Sequence, residues 1–68
     1  MTKKNLKKYA ILIANQQNII DNEKSSEDAI KDAKMKIIQY TDDLAEKSDT
    51  IEDLIIVDNM VRELLLSK

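Results

Sequence analysis

The chain has 68 residues, 43% of them apolar and 35% charged, with a formal net charge of −2. At this length it can form one small domain, residues 1–68, which buries only roughly 60% of the surface its unfolded form exposes. The absence of Cys and His excludes disulfides and the common zinc sites, and the absence of Gly and Pro argues against an all-β fold with its tight turns.

The first helix is predicted over residues 3–22. Leu6, Tyr9, Ala10, Ile13 and Ile20 recur at the spacing of one helical face, with Gln16 and Gln17 continuing it for a turn. Leu12 and Ile19 widen this stripe on one flank and Ala14 on the other. In "YAILIA", residues 9–14, the apolar residues go all the way round. At about 100° per residue, Ile11 points nearly opposite the stripe, among Lys4, Lys7, Lys8 and Asn15. The weak helix formers Asn15, Asn18 and Asn22 lead us to expect a frayed or exposed end to this helix.

"NEKSSEDAI" marks the first break, where Ser25 or Ser26 can cap a second helix over 26–47 and Glu27 and Asp28 suit its positive end. Ser25 with Asp28 approximates a capping box. The core stripe of this helix reads Ile30, Ala33, Ile37, Tyr40, Leu44, and Met35 lies outside it. "KSDTIEDL" marks the second break, with Asp49 and Glu52 or Thr50 and Asp53 as capping pairs for a third helix over 50–66. Asn22 and Lys47 fall at the preceding helix ends, where Asn tolerates left-handed geometry and Lys suits the dipole.

The third helix buries Leu54, Val57, Val61, Leu64 and Leu65. It carries a second apolar flank in Ile51, Ile55 and Leu66, and Ile56 on its polar side. Short links make successive helices antiparallel, so the expected fold is an all-α, up-down-up three-helix unit. With two Tyr and no Phe or Trp to fill its centre, the unit is expected to be completed by self-association, most simply as a two-fold dimer. Ile11, Ile51, Ile55, Ile56 and Leu66 are the candidate protein-interaction residues.

Lys3, Lys4, Lys7 and Lys8 form a basic cluster that could touch nucleic acid. Against that stand a pI of about 5.0, a single arginine, Arg62, and no aromatic platform for stacking. The antiparallel arrangement instead brings these lysines to the acidic patch of Asp42, Asp43, Glu46, Asp49, Glu52 and Asp53, where the charges balance. That patch could hold a divalent cation or imitate nucleic-acid phosphates toward a basic partner. Acidic residues beside a helix start need neither explanation. Ser25, Ser26, Ser48 and Ser67 sit at helix ends as caps, so no catalytic, cofactor-binding or metal-ligating set is assigned.

With no membrane-length apolar run and no recognisable signal segment, the chain reads as a cytoplasmic protein. The sequence thus points to a small, non-enzymatic interaction module of the regulatory or adaptor kind, with itself or another protein as partner. A nucleic-acid-associated protein using the α1 lysines, or an acidic inhibitor of a basic partner, is the alternative.

Overall fold

In the computed structural model, which describes residues 2–67, the chain forms α1 (Lys3–Asp21), α2 (Glu27–Lys47) and α3 (Ile51–Leu66). The three predicted helices are all present, and their ends move by one residue where a capping residue stands. Thr2, not foreseen as a cap, starts α1 by accepting the Asn5 amide at 3.3 Å. Ser26, not Ser25, caps α2 by accepting the Ala29 amide at 3.1 Å, and Glu27 and Asp28 add charge to the first turn.

Thr50 occupies the cap position of α3 without a side-chain cap bond. The junction is held instead by the Ser48 hydroxyl, which donates to the Asp53 carboxylate at 3.1 Å. Asn22 ends α1 with φ of −81°, so it is extended and not left-handed. Its side-chain oxygen accepts the Lys24 amide at 3.0 Å, a local turn typical of Asn.

α1 is the middle helix and packs on both others, while α2 and α3 barely touch. Tyr9 bonds to Asp43, and a cleft further along unites Gln17 and Ile20 with Lys34, Ile37 and Ile38. One chain number rises as the other falls, so α1 and α2 are antiparallel. α3 begins beside the end of α2 because only residues 48–50 separate them. Its second half has Lys3 and Lys7 against one side and Asn18, Asp21 and Asn22 against the other. These groups come from opposite ends of α1, so α3 crosses α1 obliquely. The molecule is accordingly flattened, at 37 × 25 × 15 Å. A closed three-helix bundle, with axes 8–10 Å apart, would be nearly as deep as it is wide.

The fully buried side chains are Leu6, Ala10, Ala14, Ala33, Leu44 and Val57. Half of this core is alanine, which lets helix backbones approach closely but contributes little apolar area. Tyr9, Ile13, Leu54, Met60, Val61 and Leu64 pack around it half-buried. The expected stripes of α2 and α3 face inward. In α1 the buried face turns toward Ala14, where α3 approaches, and leaves Leu12 and Ile19 on the surface. The expected frayed end of α1 is instead continuous helix, with Gln16, Gln17 and Asn18 half-buried. Gln17 donates to Asp21 at 3.0 Å, while the Gln16 amide oxygen is buried with no hydrogen-bond partner. No helix is long and apolar enough to cross a membrane among the described residues.

Candidate interaction surface

Because α3 diverges from α2, the two helices leave a groove of about 270 Å³ over the side of α1 that carries Ile13. Ile37, Thr41 and Leu44 form one wall, and Leu54, Val57, Asp58 and Val61 the other. The Thr41 hydroxyl donates to the Ile37 carbonyl at 2.8 Å, which satisfies it within α2 and leaves that wall apolar. Asp58 pairs with Arg62 at 3.1 Å, one turn along α3.

The walls rise to exposed isoleucines. Ile38, 60% exposed, lies one turn before Thr41; Ile51 and Ile55, 72% and 54% exposed, lie one turn before Leu54 and Asp58. A large exposed side chain alone is ordinary, but three of them, each one turn from the lining of one apolar trough, mark that side of the molecule as a candidate interaction surface.

The structure divides the five apolar candidates. Ile51 and Ile55 lie one turn from the groove's lining residues Leu54 and Asp58, and Leu66, on the same flank, stands further along α3. Ile11 points nearly opposite Ile13 on α1, and Ile56 nearly opposite Leu54 on α3, so both face the reverse side. They are also the less exposed, at 41% and 39%. Ile38 was not singled out from the sequence. Its signal is its adjacency to Ile37: two neighbouring isoleucines cannot share one narrow stripe, so one must face elsewhere.

The charged candidates are divided too. Lys8 lines a cleft with Asn5, Tyr9, Leu12, Tyr40, Asp43 and Lys47, so here the basic start of α1 does meet the acidic end of α2. Lys3 and Lys7 instead line a cleft with Glu63 near the end of α3, because that helix crosses obliquely. Lys4 is exposed, as are Asp42, Glu46, Asp49 and Glu52. No three acidic side chains converge as metal ligands among the described residues.

Within the Lys8 cleft the Tyr9 hydroxyl donates to Asp43 Oδ2, and Lys47 Nζ lies 3.2 Å from the same oxygen. The Tyr9 hydrogen bond, then Lys47, holds the Asp43 carboxyl below the usual aspartate range. The same bond raises the Tyr9 hydroxyl, and Asp43 raises Lys47. Asp43 therefore contributes stability that is lost as pH falls through its lowered value, and Tyr9 contributes stability that is lost as pH rises through its raised one. Tyr9→Phe is accordingly expected to lower the thermal midpoint at neutral pH. The gap to wild type should close below roughly pH 4 and again above roughly pH 10, as followed by circular dichroism melts across pH. A gap that stays constant through both ends would show that the hydrogen bond contributes nothing.

Comparison with protein-family models, with curated proteins and with solved structures gave no match.

Proposed function

We propose that the protein is a non-enzymatic protein-interaction module whose working surface is the groove between α2 and α3. The observation that supports this is the open side of the fold. Ile13, Leu44, Val57 and Val61 form the floor and walls of a trough, and Ile38, Ile51 and Ile55 stand exposed around it. An apolar trough between two helices accepts the apolar face of a third, so the partner is a protein that presents a helix. Regulatory or adaptor action through such a surface needs no chemistry beyond binding.

The nucleic-acid alternative draws less support. Lys8 lines one cleft with Asp43, and Lys3 and Lys7 line another with Glu63, which divides the cluster between two clefts.

Site-specific photocrosslinking in cells tests the reading. A benzophenone amino acid at position 38 or 55 is expected to yield a covalent protein adduct, and one at position 11 or 56 is not. Adducts confined to positions 11 and 56, or none from any position, would overturn it.

A further inference from the structure

We infer that α3 is a lid on the groove, hinged at residues 48–50. It swings from its crossing position on α1 to a closed one along α2, where it covers Ile13, Ile20 and Ile37. The inference stands on how the three helices pack and holds whatever molecule binds the groove.

Its first support is register. Leu44 and Leu54 stand five residues before and after residue 49, Thr41 and Val57 eight, and Ile37 and Val61 twelve. All six line the groove. Antiparallel helices joined by a short link meet at equal removes from it, because both rise by about 1.5 Å per residue. The two walls are therefore matched for contact and stand apart only because α3 turns away across α1.

The second support is what the end of α3 touches. Val57 is buried in one cluster with Ala10. Beyond it the apolar stripe meets polar company. Leu65 shares a cleft with Asn18, Asp21 and Asn22, and Met60 and Leu64 share another with Lys3, Lys7 and Glu63. The far half of the α1–α2 pair, meanwhile, holds a cleft of about 400 Å³ lined by Gln17, Ile20, Lys34, Ile37 and Ile38, with no residue of α3 in its lining. Ile37 lines this cleft and the groove alike, so the two run together. Leu65 stands sixteen residues past residue 49, level with Ala33 and Lys34, so closure lays it over that cleft. The swing exchanges polar corners for an apolar bed, which the hydrophobic effect favours.

The link is free to turn. Ser48 and Thr50 are both extended, and no side-chain cap fixes the first turn of α3. The bond from Ser48 to Asp53 lies at the pivot, so it does not restrain the far end of the helix. A partner helix in the groove and the closed lid exclude each other, so a bound partner holds α3 in the crossing position.

Pulsed electron spin resonance on two doubly labelled chains is the test. The chain has no cysteine of its own, so introduced cysteines keep each label in place. Dilution with unlabelled chain ensures that every distance read lies within one molecule. Labels at 34 and 65 flank opposite sides of α1 in the crossing position and come together on closure. Labels at 7 and 63 share a cleft in the crossing position and part by about 15 Å on closure. Each pair should show two distances in wild type. Ile20→Lys puts a charge where the closed lid lies, and should deplete the short 34–65 distance at least about tenfold while circular dichroism stays helical.

A single distance from either pair overturns the lid. Two distances that Ile20→Lys leaves in the same proportion overturn the closed position. Crosslinks from positions 38 and 55 in a chain with a single distance would leave the groove reading standing without a lid, and two distances without crosslinks would do the reverse.

Discussion

Leu44→Ala is expected to leave the isolated chain largely unfolded at 25 °C. Leu44 is 2% exposed, belongs to the central cluster with Leu6, Ala10 and Val57, and walls the groove beside Ile13 and Leu54. Truncating a buried leucine costs about 2–5 kcal/mol through lost apolar contact and the cavity left behind. A single core in a chain this short rarely supplies more than about 3–5 kcal/mol in total. The loss therefore takes most of what holds the three helices together, and alanine's good helix propensity cannot offset it. Urea titrations followed by far-ultraviolet circular dichroism would measure it, with Ile38→Ala as the comparison. At low protein concentration the shoulder substitution should cost well under half as much, because Ile38 is 60% exposed in the single chain. Equal costs would mean that the core does not centre on Leu44.

The second large effect is expected from adding atoms. Ala10 is 0% exposed and Ala14, one turn further along α1, is 4% exposed; Ala10 packs in one cluster with Val57 of α3. Small residues at this spacing let the oblique helix come close, and a leucine there would have to push α3 away. Ala10→Leu should destabilise by about 1–3 kcal/mol, the usual cost of overpacking a tight site. Ala45→Leu, the same change at an exposed position of α2, should stay within about 0.5 kcal/mol. Denaturant midpoints measured on both variants separate these outcomes. A stabilising Ala10→Leu would show that α1 and α3 are held apart rather than in close contact.

Much of the fold is written in local pattern. The spacing of Ile30, Ala33, Ile37, Tyr40 and Leu44 fixes the buried side of α2, and the serine and acidic residues of "SSED" fix its start within one residue. The direction of α3 is legible only in part. A three-residue link dictates where that helix begins, but its oblique course depends on Ala10 of α1 packing with Val57, residues 47 positions apart. That crossing sends Lys3 and Lys7 to Glu63 instead of to the start of α3, and it opens the groove.

The candidate interaction surface was half legible for the same reason. A surplus of apolar residues shows in the sequence, and Ile51 and Ile55 were correctly read as a second flank of α3. Which surplus residues share one patch depends on how the helices splay. The structure leaves Ile38, Ile51 and Ile55 the more exposed, each one turn from a residue that lines the trough, and Ile11 and Ile56 the less exposed on the opposite sides of α1 and α3. Hydrogen-bonding detail was the least legible. Asp49 and Thr50 both looked able to cap α3, but Thr50 holds the cap position without a side-chain bond, and only the folded junction shows Ser48 reaching Asp53.

Isoleucines lie on both sides of the molecule, so their methyl groups are built-in probes of which side is covered. The most direct test is nuclear magnetic resonance of the Ile methyl signals with a soluble paramagnetic agent, recorded with and without the partner that the crosslinks capture. On binding, the methyls of Ile13, Ile37, Ile38 and Ile55 should shift and become shielded from the agent, while those of Ile11 and Ile56 remain as accessible as in the free protein. Shielding of Ile11 and Ile56 with the groove methyls unchanged would contradict the account.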